Sequence, residues 1–283
     1  MIGSAIILSE RALMQSHYPP RQIKPGINSW AYYSKKSKNK AVIFLHGFGG
    51  KSVGTWLAFN NDLFREPKAA GYDIYFFGYE GRSWDLESCA QYFLKFLRKL
   101  FALKAAFRAE IKFPERDEHF KYEHVLIAAH SMAAVVSRRA LLLADENGYL
   151  WPQKTRLVLF APAHFGARVE RLASEALLHL PFGPALMPIL KFRWPPLEEL
   201  KKESEYLEDL QSTVDKALVD HPEREYLIAQ RVIHSYGDHV VEDKKKRFCK
   251  DGPSKFIDGS HTSMCKPTRK FRDPLDCLLA ELR

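Results

Sequence analysis

No apolar run in the 283 residues approaches the ~20 needed to span a bilayer, and mean hydropathy is −0.30. Cysteine is scarce. The four present (Cys89, Cys249, Cys265, Cys277) show no Cys-x-x-Cys spacing. This spacing does not resemble a zinc site or a disulfide framework, and reduced thiols are expected. Internal repeats and low-complexity linkers are missing, which removes solenoids and beads-on-a-string architectures. The opening Met1–Met14 holds only the short apolar run Ala5–Leu8, followed by Glu10 and Arg11. It lacks a basic leader, a long apolar stretch and a small-residue cleavage site, so no secretory signal is read and a cytoplasmic location is expected.

What is present fits one large globular domain over residues 1–283. Hydrophobic residues are 46% and charged residues 27%, which excludes disorder and collagen-like chains. Lys and Arg number 43 against 34 acids, a net of +9 with histidine neutral. That excess suits nucleic acid or an anionic membrane without choosing between them. The basic residues are scattered and accompany no nucleic-acid motif, so no nucleic-acid partner is expected.

Short apolar runs recur, each ending at a small or polar residue. They are Ala41–Leu45, Tyr72–Phe77, Val125–Ala129, Leu157–Phe160 and Arg231–His234. Near-continuous hydrophobicity marks strands buried on both faces, the habit of a parallel sheet with crossover helices. Residues Leu86–Lys112 show helical spacing, with Phe93, Phe96, Leu97, Leu100, Phe101 and Leu103 inward and Lys95, Arg98, Lys99, Lys104, Arg108 and Lys112, against Glu110, outward. Such a basic amphipathic helix fits a membrane surface or a crossover position with a solvated outer face; strands on both sides favour the crossover. A helix starts at Ser131 and runs to Leu143, and Pro274–Leu282 forms a terminal helix. The stretch 167–210 breaks the rhythm. Its apolar run Leu177–Leu190 contains Pro181, Pro184 and Pro188, which prevent one long helix. Short helices and turns are expected there, as a lid over an apolar pocket or as a buried excursion.

The strongest chemical signal is Val125-Leu126-Ile127-Ala128-Ala129-His130-Ser131-Met132-Ala133-Ala134. A strand runs into small-x-Ser-x-small and straight into a helix, so Ser131 sits on a sharp turn with its hydroxyl above the sheet edge. The residues two before and two after must be small where strand and helix backbones approach. A second strand leads into His46-Gly47-Phe48-Gly49-Gly50. There, glycines let the backbone turn its amides into a cleft. The amides of Phe48 and Met132 are the expected pair of oxyanion donors. A dinucleotide loop is the rival for these glycines, but Gly-x-Gly-x-x-Gly spacing is missing.

A serine nucleophile needs a base, and the base an orienting acid. His261 is the best base: it follows the strand-like Phe256-Ile257 in a small polar loop. His130 adjoins the serine but is expected to point away, and His46 is expected to support the glycine loop. His17, His119 and His179 have no motif around them. Asp238, just after the strand ending at Ser235, is the favoured acid, with Glu242 and Asp258 as rivals.

These segments, joined by Thr55-Trp56, Pro162-Ala163-His164-Phe165-Gly166 and His261-Thr262-Ser263-Met264-Cys265-Lys266-Pro267, resemble the α/β-hydrolase superfamily. More narrowly they resemble its lipase-like serine esterases, the branch with GPI inositol-deacylase-like proteins. The resemblance implies an α/β fold with a mostly parallel central sheet flanked by helices, and the chain order Ser131, Asp238, His261. It also implies a carboxylic-ester hydrolase for small-molecule or lipid-like acyl esters, with no metal or organic cofactor. Such families usually carry glycine after the nucleophile where this chain has Ala133 and Ala134. The elbow is expected to survive, because alanine is small and forms helices readily. The residues between Phe101 and Glu123 are not explained by the resemblance. The alternative from another class is a non-catalytic binding protein of the same fold. It would meet an anionic membrane through the Leu86–Lys112 face and Lys244-Lys245-Lys246-Arg247.

Overall fold

The computed structural model describes residues 16–24, 26–56, 59, 62–177, 194–242 and 246–283. Its centre is an eight-stranded sheet. The strands are β1 (Arg21–Ile23), β2 (Ser29–Tyr32), β3 (Lys40–Leu45), β4 (Tyr72–Phe77), β5 (His124–His130), β6 (Thr155–Phe160), β7 (Ala229–Ser235) and β8 (Ser254–Ile257). The spatial order is β1-β2-β4-β3-β5-β6-β7-β8. From β4 to β8 every pairing is parallel, whereas β1 and β2 pair antiparallel at one edge. The five apolar runs of the sequence are β3 to β7, and β4 is buried along its whole length. Phe44 of β3 stacks on Phe76 of β4 at 5.0 Å, with Trp56 tilted against it. The edge strands β1 and β2 are not apparent from the sequence, being three and four residues long. Pro19-Pro20 and Pro25-Gly26 punctuate them, and pairing with β4 rather than local pattern makes β2 a strand.

Parallel neighbours require crossovers, and these cover the sheet. Helix α1 (Leu86–Ala102) is capped by Asp85, whose Oδ1 accepts from the Ser88 amide at 2.6 Å. The single helix predicted over 86–112 is two. Leu103 turns left-handed at φ 43°, its amide closing on the Lys99 carbonyl, and α2 (Ala105–Glu110) follows. Leu103 and Phe107 are both buried on either side of the break. Two basic residues of this face serve local structure. Lys99 pairs with Glu110 at 2.9 Å, and Arg108 donates to the carbonyls of Leu103, Asp117, Glu118 and Phe120. Helix α3 (Met132–Glu146) packs on α1. Further along are α4 (Val169–Leu177), α5 (Pro195–Glu199), α6 (Glu205–Asp220, capped by Ser204) and the terminal α7 (Asp273–Glu281). Of the proline-rich run, residues 178–190 lie outside the described residues, as do Lys244 and Lys245. Among the described residues no helix is long and apolar enough to cross a membrane.

The segment between Phe101 and Glu123 has a structural task. Asp73, in the middle of the sheet on β4, is fully buried. Arg116 reaches it with both ends of its guanidinium, Nη1 to Oδ2 at 2.6 Å and Nη2 to Oδ1 at 2.8 Å. The Ser34 amide and the Tyr122 hydroxyl donate to the same carboxylate. Phe113 and Phe120 face the guanidinium at 4.8 and 4.7 Å. A buried carboxylate is tolerable only with such partners. Arg116→Ala should therefore lower unfolding stability by about 3–5 kcal/mol, because it strands Asp73 without its charge partner. Urea unfolding would measure this, and a loss under about 1 kcal/mol would contradict the account.

Candidate active site

Helix α3 follows β5 with no intervening loop, so Ser131 must make the whole turn. It does so at φ 57° and ψ −122°, a conformation costly for a residue with a Cβ. The turn is held on both sides: the Ser131 amide donates to the Phe160 carbonyl at 2.9 Å, and the Ser131 carbonyl accepts from Ala134 at 3.0 Å. Ala129, Ala133 and Ala134 are all fully buried around it, so alanine at these positions is compatible with the elbow. The space comes partly from the facing loop. A Cβ on Gly47 would stand 2.8 Å from Ser131 Cβ and 3.0 Å from the His130 carbonyl, neither of which can swing aside. Gly47→Ala should push the serine out of place. Misplacement on the scale of 1 Å costs about 100-fold in rate. The rate of fluorophosphonate labelling, compared with the unsubstituted protein, checks this, and an unchanged rate would disprove the crowding argument.

Three side chains far apart in sequence form one hydrogen-bonded row. The Ser131 hydroxyl donates to His261 Nε2 at 3.0 Å. His261 Nδ1–H donates to Asp238 Oδ2 at 2.9 Å. The other oxygen of Asp238 accepts from the amides of Val240 and Val241 at 2.8 and 3.3 Å. Burial pushes the Asp238 carboxyl up, but the His261 bond and charge and these two amides outweigh it, and the carboxyl lies below its ordinary range. All three residues are buried. The rival acids stand elsewhere: Glu242 pairs with Arg168 at 2.9 Å, and Asp258 is exposed.

The loops carrying the acid and the imidazole are joined to each other. The Tyr236 amide donates to Ile257 at 3.0 Å, the Gly237 amide to Gly259 at 3.1 Å, and the Ser235 hydroxyl also reaches the Gly259 carbonyl. Gly259 is left-handed at φ 107°, and a Cβ on Gly237 would meet its carbonyl oxygen at 2.6 Å. Close approach at both positions thus requires glycine.

His130 differs from the sequence expectation. It is no base for Ser131, yet its ring is not turned away. Its Nε2–H donates to the His261 carbonyl at 2.8 Å, and its ring lies 4.7 Å from that of His261. It braces the backbone behind the imidazole. Strand alternation is the sequence signal for this, since His130 ends β5 on the face opposite Ala129. His46 supports the glycine loop as expected: its Nδ1–H donates to the Gly47 carbonyl at 2.9 Å, and its ring stacks on Tyr79. The Tyr79 hydroxyl in turn donates to the His46 carbonyl at 2.7 Å. His17 is buried and bonded to the Tyr72 carbonyl, and His119 is exposed. Position 179 lies outside the described residues.

Above the serine is a cavity of about 370 Å³ whose lining includes Gly47, Phe48, Ser131, Leu172 and His261. The Phe48 ring meets the edge of Trp194 at 5.3 Å. Among the described residues, the amides of Phe48 and Met132 donate no hydrogen bond; Phe48 lines the cavity and Met132 is buried at the start of α3. The four cysteines are unpaired. Among the described residues no group of three or more His, Cys, Asp and Glu side chains could hold a metal ion.

Chemically, such a row can deprotonate a hydroxyl at neutral pH. Neither a protein-family model nor a curated protein matches the chain, so the narrower branch its motifs resemble finds no support there. Solved structures do match. A mature lipase of Bacillus licheniformis is 17% identical, with 84% of this chain and 91% of that one covered and a TM-score of 0.54. A hyperthermophilic esterase of the archaeon Pyrobaculum calidifontis is 13% identical, with 99% and 90% covered and a TM-score of 0.54. A peroxisomal α/β-hydrolase of Saccharomyces cerevisiae is 12% identical, with 94% and 84% covered and a TM-score of 0.51. At these identities the likeness concerns the fold, and the sheet order agrees with it.

Proposed function

We propose that this chain, which has the α/β-hydrolase fold, is a serine hydrolase that cleaves carboxylic esters through an acyl-enzyme. The observation that carries the reading is the row Ser131–His261–Asp238, with contacts of 3.0 and 2.9 Å, at the foot of a cavity. Ser131 Oγ attacks the ester carbonyl while His261 Nε2 takes its proton. Asp238 holds His261 in the tautomer with hydrogen on Nδ1 and stabilises the imidazolium that forms. Negative charge on the carbonyl oxygen is met by the amides of Phe48 and Met132. The tetrahedral intermediate expels the alcohol, which receives the proton from His261. Water, deprotonated by the same imidazole, then releases the acid and restores Ser131. The two lipase and esterase structures with this fold favour an ester over other acyl substrates.

A fluorophosphonate probe tests the proposal. The native protein should be labelled at one site, and Ser131→Ala should abolish labelling. Undiminished labelling of the variant would remove Ser131 from the nucleophile role. The alternative, a non-catalytic binding protein of the same fold, rests on the basic Leu86–Lys112 face and Lys244–Arg247, and a less active elbow at Ala133 and Ala134 would suit it. With those alanines packed into an intact elbow, no feature of the site favours it.

A further inference from the structure

The cavity above Ser131 is lined by cations from three separate loops. Lys51 comes from the glycine loop after β3, Arg82 from the loop after β4, and Lys266 from the turn that follows His261. The acidic residue in the same lining is Glu175. Lys51 and Arg82 also line an adjoining cavity of about 480 Å³, where Glu80 is the acidic member. Lys51 and Lys266 form no ion pair among the described residues.

The Lys51 and Lys266 side chains are exposed, while the Lys51 backbone and the Arg82 guanidinium are held in place. The Lys51 backbone is fixed by a turn, its amide donating to Thr55 Oγ1 at 3.2 Å and its carbonyl accepting from the Thr55 amide at 3.1 Å. Arg82 Nη2 donates to the Gly49 carbonyl at 3.2 Å, and its guanidinium lies 5.9 Å from the Trp194 ring. Gathering like charges around one concave surface is unfavourable in the empty protein. An anion entering there relieves that repulsion, and the low-dielectric walls strengthen its attraction. Arg and Lys together suit phosphate, Arg through its directed N–H groups and Lys as a mobile point charge. Phe48 and Leu172 in the same lining offer apolar contact to an acyl chain.

We propose that the ester taken by this site carries an anionic group on its alcohol part, a phosphomonoester foremost, and that Lys51, Arg82 and Lys266 form the subsite that holds it. The inference rests on the ester-hydrolase reading and narrows its substrate class. For a monoacylglycerol phosphate the balance is simple: the ester and one water give a fatty acid and glycerol phosphate. The subsite makes and breaks no covalent bond.

Binding to the Ser131→Ala protein separates this inference from the catalytic one. The probes are 1-decanoylglycerol 3-phosphate and the neutral 1-decanoylglycerol, both kept below their micelle concentrations. The phosphate ester should bind at least fivefold more tightly. Adding K51Q, R82Q and K266Q should reduce that preference below twofold. A smaller initial preference, or one that the added substitutions leave in place, would overturn the subsite. Should the combined variant unfold, K51Q/K266Q alone, at two exposed positions, must at least halve the preference for the proposal to stand. Failure of the native protein to react with fluorophosphonate would instead strike at the hydrolase reading, because binding is measured without turnover.

Discussion

Replacing Asp238 by asparagine should lower ester turnover about 10,000-fold while leaving the protein folded, the size of effect expected when a base is held in the wrong tautomer. The surroundings of Asp238 dictate how this happens. Its Oδ1 accepts from the Val240 and Val241 amides, which can only donate. An asparagine will keep its carbonyl oxygen there and turn its NH₂ toward His261 Nδ1. That nitrogen must then accept, so the ring hydrogen moves to Nε2 and confronts the Ser131 hydroxyl. The serine loses its proton acceptor although every heavy atom keeps its place. Turnover of a short-chain ester measures the loss, and thermal unfolding of the variant checks that the fold is retained. Activity within tenfold of the native protein would mean that His261 is not the base.

Acid should destabilise the protein well before carboxylates become protonated. Burial pushes the His46 imidazole down to about 4; burial, with the neighbouring His261 charge, pushes that of His130 down to about 3. Burial lowers His17 and His164 as well. In the unfolded chain each returns to the ordinary value of 6.5. Below that value the unfolded state binds protons that the folded state refuses, so stability falls as pH falls. Above it the folded state has nothing to lose. Each such histidine contributes a slope of about 1.4 kcal/mol per pH unit until its folded value is reached. His46 and His130 alone should make the protein about 4 kcal/mol less stable at pH 5 than at pH 7.5, a large share of an ordinary 5–15 kcal/mol. Urea midpoints at the two pH values decide the matter. A flat profile would show that these imidazoles are not buried neutral.

The parallel core was readable because its strands are buried on both faces, a condition written into the composition of each run. Ser131, Asp238 and His261 could be singled out for a related reason. Each stands directly after a strand or in the loop just beyond one, where side chains are free to meet. The edge strands β1 and β2 were hidden because partners distant in sequence create them. The break at Leu103 is hidden because helical periodicity continues through it; only the left-handed backbone at Leu103 shows where the axis turns. The pairing of Asp73 with Arg116 joins residues 43 apart, and neither has a local pattern announcing the other. The role of His130 is set not by its neighbour in sequence but by a partner 131 positions away.

The backbone stitching between the Asp238 loop and the Gly259 turn also bears on how the site can fail. With acid and imidazole sewn to the same patch of chain, they travel as one piece. The nucleophile belongs to a different piece, anchored to β5 and β6. At the reacting side chains themselves only the Ser131–His261 bond spans that seam, the His130 brace holding backbone alone, so heat or pressure should part the machinery there first, extinguishing reactivity while the carboxylate–imidazole couple is still whole.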